Sequence, residues 1–107
     1  MSASARVIRS AEFQAERAWG ALPVAELDGV TVRLHWTDSP YIWHVNDGEE
    51  VFVVLDGQVC MKVREQGVEQ VHWLQPGDIF HAREGCEHVA HPQGVARVLV
   101  VEREGSV

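Results

Sequence analysis

Ile42-Trp43-His44-Val45-Asn46-Asp47-Gly48-Glu49-Glu50-Val51-Phe52-Val53-Val54-Leu55-Asp56-Gly57 is the stretch that decides the fold. An Asn-Asp-Gly turn separates an imidazole from a carboxylate, and the apolar run that follows ends on a second Asp-Gly. Such dipeptides between apolar runs mark hairpin turns, because glycine takes the positive φ that tight turns demand. If this turn joins two antiparallel strands, alternation puts Ile42, His44 and Asn46 on one face and Glu50, Phe52 and Val54 on another. With both faces turned inward, His44, Asn46 and Glu50 converge beside an aromatic floor.

A second segment, Pro76-Gly77-Asp78-Ile79-Phe80-His81-Ala82-Arg83-Glu84-Gly85-Cys86-Glu87-His88, ends in another imidazole just after a glycine turn. Two neutral imidazoles and one carboxylate with open positions form a ligand set that suits Fe(II), with Mn(II), Ni(II) or Zn(II) as further possibilities. The predicted metal ligands are therefore His44, Glu50 and His88. Asn46 is expected either as a weak oxygen ligand or as a hydrogen-bond partner of metal-bound water. The competing reading is an ordinary solvated Glu50 and a satisfied barrel histidine at 44. An unpaired carboxylate in a valine-rich strand is costly, which favours the metal.

Outward from these segments, the chain is punctuated by Asp28-Gly29, Asp56-Gly57, Gln66-Gly67, Pro76-Gly77, Glu84-Gly85 and Gln93-Gly94. From Gly57 onward the turns recur roughly every 8 to 10 residues, the spacing of short antiparallel strands in a sandwich or barrel. Val30, Val32, Leu34 and Trp36 alternate with Thr31, Arg33, His35 and Thr37, a half-buried strand written in period two. Further strands are expected at about 42 to 46, 50 to 55, 58 to 65, 68 to 74, 78 to 82, 88 to 91 and 95 to 102. The predicted class is all-β, a jelly roll of about eight or nine strands. Ser10 to Trp19 reads as a possible short helix with a Ser cap and Gly20 as its stop.

These two segments resemble the cupin superfamily. Its first motif runs glycine, His-x-His, three or four residues, Glu, six residues, glycine; its second runs glycine, five residues, Pro-x-Gly, two residues, His, three residues, Asn. The matching positions here are His44, Glu50 and Gly57, then Gly77, Gly85 and His88. Asn46 stands at the second His, Arg83 at the proline and Pro92 at the final Asn. Within the superfamily the stretch is most similar to the 3-hydroxyanthranilate dioxygenase type, which binds iron with His, Glu and His alone. That type holds its substrate with arginines at positions occupied here by Pro40 and Pro92, so the resemblance does not carry the substrate over. It spans Val30 to Val101 and implies the cupin barrel with one metal.

Composition sets the remaining bounds. At 107 residues and 46% apolar the chain fits one domain, 1–107, with its core barrel at about 30–101. A formal charge of −7, with Lys62 the only lysine, argues against a nucleic-acid partner. The start lacks an apolar core of signal-peptide length and no run is long enough to cross a bilayer, so no membrane partner is expected and the predicted location is cytoplasmic. Cys60 and Cys86 then read as reduced thiols.

Other candidates divide by strand parity. His35 falls on the polar face of its strand and is expected at the surface. His81 and His91 should face away from the interior, while His72 is left open because either face of its strand is plausible as the buried one. Cys86 reads as a small buried thiol rather than a soft zinc ligand, and Arg83 as a carboxylate clamp or a partner of Glu84 or Glu87.

Two classes of function follow. One is a metalloenzyme, dioxygenase-like or isomerase-like, with Trp36, Phe52, Met61 and Phe80 lining its pocket. Its substrate is expected to be small, largely neutral or aromatic, with two neighbouring oxygens. The other is a non-catalytic sensor or binding module. A homodimer is also expected, since Val51, Val53 and Leu55 make the outer face of their strand apolar and Val98 to Val101 repeats the pattern; the N-terminal segment around Val7, Ile8 and Phe13 is the alternative cover.

Overall fold

The computed structural model describes residues 4 to 106. Nine strands order them: β1 (Gly20–Leu27), β2 (Val30–Thr37), β3 (His44–Val45), β4 (Glu50–Asp56), β5 (Val59–Glu65), β6 (Val68–Leu74), β7 (Ile79–Ala82), β8 (Glu87–Pro92) and β9 (Ala96–Arg103). All pairings are antiparallel. A five-stranded sheet runs β1-β2-β9-β4-β7 and a four-stranded sheet runs β3-β8-β5-β6, which makes the expected all-β jelly-roll barrel. Among the described residues no helix is long and apolar enough to cross a membrane.

The core forms where the inward residues of the two sheets meet. Phe52 and Val54 of β4, Val59, Met61 and Val63 of β5, and Ala96, Val98 and Val100 of β9 make one buried cluster, with Trp19, Phe80 and Cys86 packed against it. Burying each side chain of this size stabilises the fold by about 1.5 to 3 kcal/mol before chain entropy is counted. Gly57 closes the β4–β5 turn for two reasons. Its φ is +80°, and a Cβ there would run into the Val95 carbonyl.

The N-terminal segment departs from expectation. Instead of a helix from Ser10 to Trp19 there is one 3-10 turn, Ser10–Glu12, with no side-chain cap hydrogen bond. Tertiary bonds outbid local helix propensity here: the Arg97 guanidinium donates from Nε to the Phe13 carbonyl at 2.7 Å and from Nη1 to Asp56 at 2.6 Å. Trp19 has φ +61°, which ends any helical path, and Gly20 is not a helix stop but the first residue of β1, where a Cβ would strike Ala15. β1 itself is an unexpected strand. Its Pro23 sits at a sheet edge, where a missing N–H is tolerated, and the pairing with β2 shifts register between Pro23 and Ala25.

β2 is inverted relative to the reading of its alternation. In the ladder, His35 lies opposite Val98 and Arg33 opposite Val100, both inward residues of β9, while Leu34 lies opposite Leu99. Its polar residues therefore face the barrel interior. Leu34 and Trp36 are buried on the outer side, at 1% and 8% exposure, and lie outside the central cluster.

Candidate metal centre

Three strands bring the sequence-selected ligands together. His44 and His88 stand directly opposite each other in the β3–β8 ladder, and Glu50 opens β4 in the facing sheet. One ligand atom from each of His44, Glu50 and His88 falls within 4.8 Å of the other two. Glu50 and His88 are buried, and His44 is half-buried.

Backbone bonds orient both imidazoles. His44 places Nδ1 2.9 Å from the Ile42 carbonyl, and His88 places Nδ1 3.0 Å from the Cys86 carbonyl. A carbonyl only accepts, so each Nδ1 carries the proton and each Nε2 is left for the cavity. The Nε2 of His88 lies 2.8 Å from Glu50 Oε1, and the Asn46 amide donates to that same oxygen at 2.9 Å.

The charges follow from these contacts. Burial pushes the Glu50 carboxyl up, but the bond and charge of His88, aided by the Asn46 amide and His44, outweigh it and hold the group below its usual range. Burial likewise pushes His88 down, and the Glu50 carboxylate more than reverses this, so its pKa is raised. Glu102, opposite Glu50 in the β4–β9 ladder, is raised to about 7 by burial and by the Glu50 charge. His35 is lowered, chiefly by burial.

The donor set fits a divalent transition metal. Metal–ligand lengths of about 2.1 Å allow ligand atoms up to about 4.2 Å apart, so small side-chain movements close the set. Asn46 Oδ1 is buried without a hydrogen-bond partner among the described residues, an acceptor at the edge of the site whose demand is unmet. His44, Glu50 and His88 line a cavity of about 380 Å³, whose wall also includes Arg33, His35, Tyr41, Phe52, Met61 and Glu102. That volume suits one small molecule.

Comparison with known proteins agrees with this architecture. A cupin-2 domain protein from Shewanella frigidimarina superposes with a TM-score of 0.74 at 23% identity, covering 84% of this chain and 85% of that one. A cupin superfamily protein from Desulfitobacterium hafniense gives 0.78 at 14% identity, covering 96% and 94%. The chain has the cupin fold. No family model matches the chain. It is 36% identical to bovine 3-hydroxyanthranilate 3,4-dioxygenase over 63 residues, which are 57% of this chain and 21% of that enzyme, so it spans about a fifth of the relative's length. A hydroquinone 1,2-dioxygenase in complex with Fe3+ superposes at TM-score 0.75 and 14% identity, covering 84% of this chain and 29% of that one.

The wall of the cavity departs from expectation at three positions. Trp36 is not part of it, because β2 turns its even-numbered residues outward; His35, expected at the surface, lines the cavity instead. Phe80 is also absent from the wall and packs against the core, its ring 5.6 Å from that of His88. Phe52 and Met61 do line it. His81 is exposed and pairs with Glu49 at 2.6 Å, and His72 is exposed. His91 occupies the other face of β8 from His88. Arg83 lies outside the cavity, in a shallow surface recess with Glu84 and Arg103. Tyr41, Arg33 and Glu102 escaped the sequence reading. Tyr41, in the loop before β3, sets its ring at 90° to that of His44 with centroids 5.1 Å apart, and only its nearness to His44 in sequence could have flagged it.

Proposed function

We propose that this cupin binds one divalent transition metal through His44, Glu50 and His88, iron by preference and Mn, Ni or Zn otherwise, and acts as a metalloenzyme of dioxygenase or isomerase kind on a small oxygen-bearing substrate. The observation that carries the reading is the convergence of the three ligand atoms within 4.8 Å on the wall of a ligand-sized cavity. Two His and one carboxylate with open positions is the set used for non-haem Fe(II), and the dioxygenase relatives point the same way. When bound, such an ion supplies Lewis acidity and redox chemistry at its open positions.

The chain's own residues do the rest. Glu50 offsets the charge of the ion, and Asn46 fixes the Glu50 carboxylate by donating to Oε1. Phe52, Met61 and Val100 exclude water from the cavity floor. His35 ties Nδ1 to the Trp19 carbonyl at 3.1 Å and is kept neutral by burial, so its Nε2 can accept a proton from a bound substrate.

The test is oxygen consumption by Fe(II)-loaded protein on a panel of diols and catechols, with elemental analysis of freshly purified protein. Full turnover in metal-free protein would overturn the reading. A second reading, a sensor or binding module without turnover, is favoured by Asn46, which stands where the resemblance places a fourth ligand; tight ligand binding with no reaction on any substrate selects it. The protein is further proposed to work in the cytoplasm as a homodimer. Leu55 and Ile79, on β4 and β7 of the five-stranded sheet, remain 37% and 66% exposed. A monodisperse 12.0 kDa species in light scattering rules the dimer out.

A further inference from the structure

The cavity has a second polar end that the three metal ligands do not use. Arg33 projects into it from β2, half-buried, and Arg17 stands exposed at its rim on the N-terminal segment. The guanidiniums of Arg6, Arg64, Arg97 and Arg103 all donate to protein acceptors. Those of Arg9, Arg17, Arg33 and Arg83 have no hydrogen-bond or ion-pair partner among the described residues, and of these four only Arg17 and Arg33 line this cavity. Arg33 and Glu102 are diagonal neighbours across the β2–β9 ladder and feel each other's charge, yet no hydrogen bond or ion pair joins them and Glu102 Oε2 is buried without a partner among the described residues. A guanidinium held in a half-enclosed site without an anion is an unmet demand.

We propose that the Arg33 end of the cavity is an anion subsite that takes the single carboxylate of a ligand, with Arg17 closing the rim. The sheet register sets the rest of that ligand. Arg33 lies opposite Val100, and Val100 opposite Phe52, so Arg33 and Phe52 are two strand spacings apart, about 10 Å, with apolar floor between them. A small apolar body fits over Val100 and Phe52, with its far end directed at His44, Glu50 and His88. The net charge of −7 favours a neutral ligand for the chain as a whole, but the field inside the cavity is local. There two guanidiniums, Arg17 and Arg33, share the wall with Glu50 and Glu102, and a divalent ion held by His44, Glu50 and His88 would tip the sum to positive. The arginine comes from the middle of β2, not from the positions flanking the first and last ligand histidines, which hold Pro40 and Pro92.

The substrate end rests on the reading of His44, Glu50 and His88 as metal ligands; the anion subsite itself does not. Benzoate and benzamide, matched in shape and different in charge, serve as probes in titration calorimetry with metal-free and Zn(II)-loaded protein. The expected result is a preference for benzoate of about tenfold or more in both forms. That preference should be lost in Arg33→Met and partly kept in Arg33→Lys, with Zn(II) content unchanged in both variants. A preference that needs the metal, or one that survives Arg33→Met, overturns the proposal by sending the carboxylate to the ion or elsewhere. Equal binding of the two probes overturns it too. Failure to take up Zn(II) with the benzoate preference intact overturns the metal reading and leaves the subsite standing.

Discussion

His44 and His88 face each other across the β3–β8 ladder with their ring centroids 4.4 Å apart, and each is steered by the backbone carbonyl two residues before it. This matched pair of bonds gives both rings the same tautomer, with Nε2 toward the cavity. Without a metal, the Nε2 of His88 carries a proton to Glu50; with one, that proton has to leave.

Metal uptake should therefore release acid. His88 is raised above its ordinary 6.5, so a cation competes with the proton at and above that pH, and apparent affinity rises with pH until the raised value is passed. The pair's own contribution to stability runs the other way. The His88 part is present in full below 6.5 and lost as pH rises through the raised value, while the lowered Glu50 part is present above 4.5 and lost as pH falls through its folded value. Metal-free protein should draw most from this pair between those two ordinary values, and Glu50→Gln should remove that maximum. Calorimetric metal titrations in buffers of different ionisation enthalpy count the released proton, and a count of zero argues against the His88–Glu50 ion pair.

Asn46→His should tighten metal binding by about tenfold or more, because it adds an imidazole beside an existing set. Asn46→Leu should weaken binding, since Glu50 Oε1 loses its amide donor. Competition with a chromogenic chelator measures both. An Asn46→His variant with unchanged affinity would place residue 46 too far from the ion to coordinate it.

Glu102 gives a prediction of opposite sign. Its carboxyl is raised from 4.5 to about 7, so the folded state favours the protonated form and loses stability as pH rises through that window. Glu102→Gln should melt like the parent below 4.5 and several degrees higher above 7, in chelator-treated protein. Equal melting temperatures at both ends would show that Glu102 ionises freely.

Two glycines separate conformational strain from collision. Gly57 and Gly94 both have positive φ, at +80° and +78°, but only at Gly57 does a Cβ meet backbone. Gly94→Ala should cost about 1 kcal/mol and Gly57→Ala about 2 kcal/mol or more. Urea unfolding of the two variants settles the order.

The convergence of His44, Glu50 and His88 was legible because three local signals agreed: a turn dipeptide, strand parity and residue types that dislike an apolar strand. His44 and Glu50 flank one turn, so their convergence needed only hairpin geometry. Arg33 and His35 were hidden by the same parity rule that exposed the ligands, since a polar strand face normally meets solvent and here meets a cavity. Glu102 sits in a valine-rich strand far along the chain, and only the β4–β9 register, a long-range pairing, sets it opposite Glu50. The helix reading of 10 to 19 failed because local propensity cannot anticipate that Arg97 will hold the Phe13 carbonyl.

The inversion of β2 has a consequence for how this barrel can vary. Thr31, Arg33 and His35 face the interior, while Leu34 and Trp36 do the outer packing. Odd positions of a single strand, Arg33 and His35, thus line the cavity, and even positions hold the scaffold together. A scan along β2 should alternate residue by residue: substitutions at 33 and 35 change what the cavity accepts at little cost to folding, whereas truncations at 34 and 36 cost about 2 to 5 kcal/mol and leave ligand preference alone. Specificity can then drift quickly on a fold that does not.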